Sequence, residues 1–275
     1  MSCIKYRVAV ATGLLRPAVL LSLGFVLFVA QPGHAQDSPL RFFKNYNITG
    51  DYVVAGKSLW RKGVNGRARV KIEIAGVPPG AEVVAAILYV QTAERVQWSG
   101  INHATFRKIL KHPVPPHDLG PGNQSLAKAL TPRGNWALSP APCWSVLFAG
   151  GRKLVTYRAD VLPYLPKDRT SGSPIANGTY EVVVPDAGNH FGDDDESAIE
   201  FGHILGPRAL GASLVIIYSD ATAAYKSIII YDGAFTKRAF LPMTQPISGF
   251  YQASGPANPI ADMTMIVGDG RPFLS

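Results

Sequence analysis

Hydrophobic and polar residues alternate with a period of two along much of this chain. In Arg67–Ile74 the order is Arg, Ala, Arg, Val, Lys, Ile, Glu, Ile. This order predicts a strand with one solvated and one buried face, because successive side chains of a strand point to opposite sides. Val83–Val90 is apolar at nearly every position, as expected for a central strand that is covered on both faces.

Further short segments share a β-branched or aromatic composition and are bounded by Gly, Pro, Asn or Asp. They are Phe42–Val54 (interrupted at Gly50), His103–Leu110, Ser145–Phe148, Lys153–Arg158, Tyr180–Val184, Ala212–Tyr218, Ser227–Tyr231 and Met263–Val267. A helical turn is expected only at Asp160–Leu165. About ten short strands with little helix predict an all-β fold, an antiparallel two-sheet sandwich of jelly-roll type.

Two stretches interrupt the strand pattern. Lys111–Pro142 contains seven prolines and is expected to be a long irregular loop, and Pro185–Glu200 reads as a solvated loop. Near the end, Ser248–Ser254 and Ala261–Val267 are expected to be two new strands, followed by a Gly-Asp-Gly turn. We therefore predict a sandwich domain over 36–247, with 248–275 as the start of a truncated second β domain or as a tail.

The N-terminus has the layout of a secretory signal peptide. Lys5, Arg7 and Arg16 precede the apolar run Val19–Ala30, and Gly33-His34-Ala35 supplies small residues before a cut at Gln36. An uncleaved anchor is disfavoured, because a bilayer span needs about 20 apolar residues and Arg16-Pro17 interrupts a longer run. Residues 1–35 are thus predicted to be removed on export, with no transmembrane span in the secreted chain.

Export limits the partners and the covalent chemistry of the mature chain. Removal of 35 of the 275 residues leaves 240, and because the leader holds three of the 27 basic and none of the 19 acidic residues, the net charge becomes +5. This mild excess favours anionic surfaces but is not a nucleic-acid footprint. Cys143 is then the only cysteine, so no internal disulfide forms. A buried structural thiol is favoured over an intermolecular link or a nucleophile.

Three segments resemble the N-terminal region of large, uncharacterised, exported bacterial surface proteins of adhesin-like type. They are Phe42–Val54, Gly211–Tyr218, and Gly249–Ser254 together with Ile266–Gly270. A weaker similarity, to jelly-roll modules of carbohydrate-associated proteins, rests on Val83–Tyr89, Tyr157–Val161 and Gly178–Val183. The resemblance implies a β-rich protein of the cell surface or extracellular space, but it carries over no established activity.

Motifs typical of enzymes are missing from the sequence. It contains no Gly-x-Ser-x-Gly elbow, no His-Glu-x-x-His, no phosphate-binding loop and no Cys-x-x-Cys. We therefore predict a protein without catalytic residues and without a required cofactor.

Two groups of residues are candidates for ligand binding. Strict alternation places Arg67, Arg69 and Lys71 on one face of a strand, where they could meet an anionic polysaccharide or a lipid head group. An ordinary solvated strand face, whose charges also guard a strand edge against aggregation, is the favoured interpretation. Trp98 and Trp136 lie beside loop residues and could stack on sugar rings, or they could pack under long loops.

The acidic loop is the candidate metal site. Asp186, Asp193 and Asp195 could contribute oxygens to a calcium ion, which binds six to eight oxygen ligands in flexible loops. The spacing matches no EF-hand, so a solvated loop is the competing interpretation. The histidines are too scattered to predict a zinc site.

Taken together, the sequence favours a secreted, non-catalytic β-sandwich module of structural or adhesive function. Its expected partners are cell-surface glycans or other envelope proteins. The first alternative is a carbohydrate-binding module that uses the tryptophans. The second is a polysaccharide-active enzyme, which would require two carboxylates facing each other across a cleft.

Overall fold

The computed structural model describes residues 40–59, 63–95, 104–109, 124–125, 131–137, 152–186, 207–234, 244–249 and 261–267. Side chains are described for these residues except 93–95, 124–125, 131–137 and 152–154. All of them belong to one compact unit, Ser38–Ser275. The predicted leader (1–35), Cys143 and the predicted strand Ser145–Phe148 lie outside the described residues.

Nearly all regular structure in the described chain is β-strand. The strands are β1 (Arg41–Ser58), β2 (Gly63–Val64), β3 (Arg67–Ile74), β4 (Glu82–Arg95), β5 (Thr105–Ile109), β6 (Gln124–Ser125), β7 (Thr131–Ala137), β8 (Arg152–Asp160), β9 (Gly178–Pro185), β10 (Arg208–Ser219) and β11 (Tyr225–Asp232). Among the described residues there is one 3-10 turn, Leu162–Tyr164, which falls within the predicted turn at Asp160–Leu165. None of the described segments contains a helix with the length and hydropathy of a membrane span.

The strands form two antiparallel sheets, so the predicted sandwich is confirmed. The six-stranded sheet has the order β11-β1-β10-β4-β8-β7, and the five-stranded sheet has the order β2-β3-β9-β5-β6. The chain passes back and forth between the sheets, and the β2–β3 hairpin is closed by Asn65-Gly66. Both of these residues have positive φ, 51° and 75°, as a two-residue type I′ turn requires.

The space between the two sheets is filled by apolar side chains from both. The five-stranded sheet contributes Ile72, Phe106 and Tyr180, and the six-stranded sheet contributes Leu88 and Ile216. All five side chains are fully buried, and the rings of Phe106 and Tyr180 stack with centroids 5.3 Å apart. Burial at roughly 25 cal/mol per Å² makes this inner core the main source of stability.

A second core lies on the opposite face of the six-stranded sheet. On β4, Ala86, Leu88 and Val90 face the inner core, whereas Ile87 and Tyr89 face this second core. The buried side chains on the second side are Tyr46, Ala85, Ile87, Tyr89, Val215, Ile217 and Ile228. This arrangement explains why the central strands are apolar at nearly every position.

The second core is covered by a folded part of the same sheet. Residues 41–49 of β1 pair with β11, whereas residues 50–58 pair with β10. We call the pair formed by residues 41–49 and β11 the ribbon. In a flat sheet of this order β11 would lie about 19 Å from β8, yet Asp232 of β11 contacts Arg158 of β8 at 2.5 Å. The ribbon therefore folds across the sheet.

Most predicted strands are present, with β3 matching its predicted bounds, but two sequence expectations were wrong in detail. β1 continues through Gly50 without the expected interruption. The predicted loop Lys111–Pro142 contains β6 and β7. β7 lies at the edge of its sheet, with a register shift between Pro132 and Gly134, and edge strands and bulges are the places where a sheet tolerates proline.

The prediction of a strand at Ala261–Val267 was also wrong, because this segment belongs to no strand ladder. Thr264 and Ile266 of this segment nevertheless contact the sandwich. The Thr264 Oγ1 atom lies 2.9 Å from the Tyr52 hydroxyl, and Ile266 packs against the second core. Of the other predicted strand, Ser248–Ser254, only Ser248 and Gly249 are described, and neither is in a strand.

Candidate binding face

The structure places Arg67, Arg69 and Lys71 on the outward face of the five-stranded sheet. All three side chains are exposed, whereas Ala68 and Ile72, at alternate positions of the same strand, are buried in the inner core. The separation follows from the pleat, which sends alternate side chains to opposite sides. Their role in binding stays a prediction.

A buried carboxylate lies at the centre of this outward face. Glu181 of β9 is directly opposite Lys71 of β3 on one side and Arg107 of β5 on the other. Its side chain is only 5% exposed, yet two exposed arginines contact it. We call the group formed by Arg67, Arg69, Lys71, Glu73, Arg107 and Glu181 the basic face.

Glu181 holds the two arginines in defined positions. Oε1 accepts a hydrogen bond from Nη1 of Arg69 at 3.1 Å. Oε2 accepts one from Nε of Arg107 at 2.7 Å and lies 2.6 Å from Nη2 of the same side chain. The arginine side chains remain 61% and 44% exposed, so each keeps N–H groups directed at solvent, since a guanidinium carries five donors.

Sequence reasoning missed Arg107 and Glu181. Both lie within predicted strands, His103–Leu110 and Tyr180–Val184, and Glu181 is the single charged residue of the second. A charge inside an otherwise apolar strand was the available signal that it needs a partner. The partners became visible only with the strand order β3-β9-β5, which the alternation does not encode.

Of the other predicted site residues, Trp136 and Asp186 are described, and neither belongs to the basic face. Trp136 is on the edge strand β7, opposite Leu154, and its side chain is not described. Trp98, Asp193 and Asp195 lie outside the described residues. Asp186 is buried at the end of β9, where its backbone N–H donates to the carbonyl of Gly66. In the part of the chain that is described, no three His, Cys, Asp or Glu side chains converge as metal ligands.

A second polar cluster lies between the ribbon and the six-stranded sheet. Asp232 Oδ2 accepts from Arg158 Nη1 at 2.5 Å and from the Tyr89 hydroxyl at 3.4 Å. The guanidinium of Arg158 is 3.2 Å from the ring centroid of Phe43. Burial, reinforced by the charge of Asp232, raises the pKa of Tyr89 well above its usual value. The cluster links β11 to β4 by a hydrogen bond and to β8 by an ion pair.

Comparisons with protein-family models, with curated proteins and with solved structures found no match to this chain. The geometry of the described residues is therefore the basis for a functional proposal. The resemblance to adhesin-like surface proteins remains a prediction.

Proposed function

We propose that this protein is a secreted, non-catalytic β-sandwich module of the cell surface or extracellular space, with an adhesive or structural function. In this proposal it attaches to an anionic partner, a cell-surface glycan or an envelope protein, through the basic face. The observation that carries the proposal is the exposed row of Arg67, Arg69 and Lys71 beside Arg107. The predicted signal peptide and the sandwich fold are consistent with it.

Two of the buried carboxylates, Glu181 and Asp232, are not arranged for glycoside hydrolysis. Glycoside hydrolysis generally uses two carboxylates about 5–9.5 Å apart across the scissile bond. Glu181 lies on the outward face of the five-stranded sheet, whereas Asp232 lies against the six-stranded sheet. Each is occupied by arginine, so these two carboxylates form part of a scaffold and do not face each other across a cleft.

Binding of the purified mature chain to anionic and neutral beads tests this proposal. We expect retention on sulfate- or carboxylate-bearing beads at about 50 mM NaCl and its loss by about 300 mM, because salt screens exposed charges. The triple variant R67Q/R69Q/K71Q should lose most of this retention. Neutral beads should retain neither protein.

The triple variant K44Q/K57Q/K167Q is the matched control, since it removes the same charge from exposed positions outside the basic face. It should keep most of the wild-type retention. Equal losses in the two triple variants would show a general charge effect and would contradict the proposal.

A further inference from the structure

The cations of the basic face form a line. Arg67, Arg69 and Lys71 are two residues apart on one strand, so consecutive side chains are spaced by about 6.6 Å. Arg107 continues the face across β9, beside Glu181. A row of this kind matches the repeated charges of an extended polymer better than it matches one small anion.

The charge of this face is modest. Arg67, Arg69, Lys71 and Arg107 are offset by Glu73 and Glu181, which leaves an excess of two positive charges. Binding to duplex DNA relies on several lysine and arginine side chains that neutralise phosphates and release counterions. A mixed face with many hydrogen-bond donors instead suits a polymer with sparse anionic groups and hydroxyls between them.

The surroundings of the row are unlike those of a membrane anchor. Interfacial anchors insert Trp, Phe or Leu beside their basic residues. Among the described residues, the only large and strongly exposed apolar side chain on the five-stranded sheet is Val64. One valine at a hairpin end supplies little insertion energy, so a lipid surface is disfavoured.

The geometry points to a linear polysaccharide that carries carboxylate or sulfate groups as the partner of the basic face, with Glu181 as a positioning residue. Glu181 holds Arg69 and Arg107 with their free N–H groups outward, and a planar guanidinium fork matches carboxylate and sulfate oxygens in pairs. Because Glu181 is 5% exposed, it acts through the arginines. This inference rests on the proposed function.

The variant E181Q separates positioning from simple charge. It raises the net charge of the face by one, so a purely electrostatic surface would bind an anionic polymer more tightly. If Glu181 positions the arginines, affinity for polygalacturonate should fall about fivefold to tenfold, since charge-assisted hydrogen bonds of this kind contribute about 1 kcal/mol or more. Unchanged or tighter binding by E181Q would overturn the positioning role.

A second variant, R107K, keeps the positive charge but lacks the planar guanidinium group. It should also weaken binding by several fold, whereas K57R on the other sheet should leave binding unchanged. Circular dichroism and thermal melting of each variant establish that it is folded. Should E181Q fail to fold, R107K alone decides, because its side chain is exposed and its charge is conserved.

Parallel titrations of the wild-type chain identify the polymer. Polygalacturonate and dextran sulfate should bind, and neutral dextran should not. Duplex DNA and vesicles of anionic phospholipid should bind more weakly at equal ionic strength. Tighter binding of DNA or vesicles overturns this inference but leaves the proposed anionic partner intact, whereas a wild-type chain that binds none of the anionic probes refutes both.

Discussion

At the scale of single residues, two ion pairs of the six-stranded sheet differ in burial, which is expected to make them differ in strength. Asp232 and Arg158 are 5% and 14% exposed, whereas Asp51 and Lys226 are 33% and 43% exposed. The hydrogen bond to Asp51 raises the pKa of Lys226, but water and salt screen this pair. The pair of Asp232 and Arg158 is screened less, because it is less exposed.

The substitution D232N should destabilise the fold by about 3 kcal/mol, because it removes the negative charge that the mostly buried guanidinium of Arg158 contacts. Urea denaturation of the two proteins at neutral pH measures the difference. A decrease in the free energy of unfolding of less than about 1 kcal/mol would contradict our interpretation that this pair stabilises the packing of β11 against β4 and β8.

The matched control is K226Q, which removes the exposed pair with Asp51. Exposed pairs contribute about 0–1 kcal/mol, so its free energy of unfolding should stay within that range of the wild type. The contrast between the two variants separates the effect of burial from the effect of losing an ion pair.

At the scale of elements, Gly50 is the point at which β1 changes partner. The residues before it pair with β11 and those from it onward pair with β10. A Cβ atom at Gly50 would lie 2.1 Å from the carbonyl oxygen of Tyr218. Only glycine permits this approach, so the fold of the ribbon across the sheet depends on it.

We expect G50A to cost at least about 3 kcal/mol, since the clash is with backbone atoms that cannot move without breaking the ladder. G56A is the comparison: its Cβ would meet the Oγ atom of Ser213 at 2.3 Å, and a serine side chain can rotate to another rotamer. Its cost should stay below about 1.5 kcal/mol. Thermal melts of the two variants measure the difference in stability. Equal destabilisation would show that the fold does not depend on glycine at position 50 more than at position 56.

At the scale of the whole molecule, the sandwich has an inner core and a second core, and the last described segment packs against the second core. Ile266 packs on the second core and Thr264 contacts Tyr52, whereas Met263, Met265 and Val267 are exposed. The segment thus keeps the period of two of a strand without belonging to a ladder.

The variant I266D should lower the free energy of unfolding by about 1–2 kcal/mol, because it places a charge against an apolar cluster. M265D is one residue away and points to solvent, so it should change stability by no more than about 0.5 kcal/mol. Chemical denaturation compares them. If the two variants behave alike, the segment does not contribute to the second core.

Much of the fold followed from local patterns. Arg67–Ile74 was predicted with its bounds because its charges and apolar residues alternate without interruption, and this pattern has only one solution in a strand with one buried face. β7 was missed because Pro132 and Gly134 look like loop residues, and only the position of the strand at a sheet edge makes them acceptable. Ala261–Val267 was over-predicted because alternation specifies which side chains face inward, not whether a neighbouring strand is present.

The candidate site was predictable only in part, for the same reason. Three of its cations could be predicted to share a face because they lie on one strand, where spacing along the chain decides the face of each side chain. Arg107 and Glu181 reach them through strand pairing between segments that are distant in the chain.

The sequence by itself determined the all-β class and the two-faced character of the strands, because both depend on the order of side chains within a few residues. Only the tertiary structure decided the strand order, the ribbon folded at Gly50 and the arginine–glutamate group of the basic face. These features are set by long-range pairing, in which non-neighbouring segments satisfy one another's hydrogen bonds and charges.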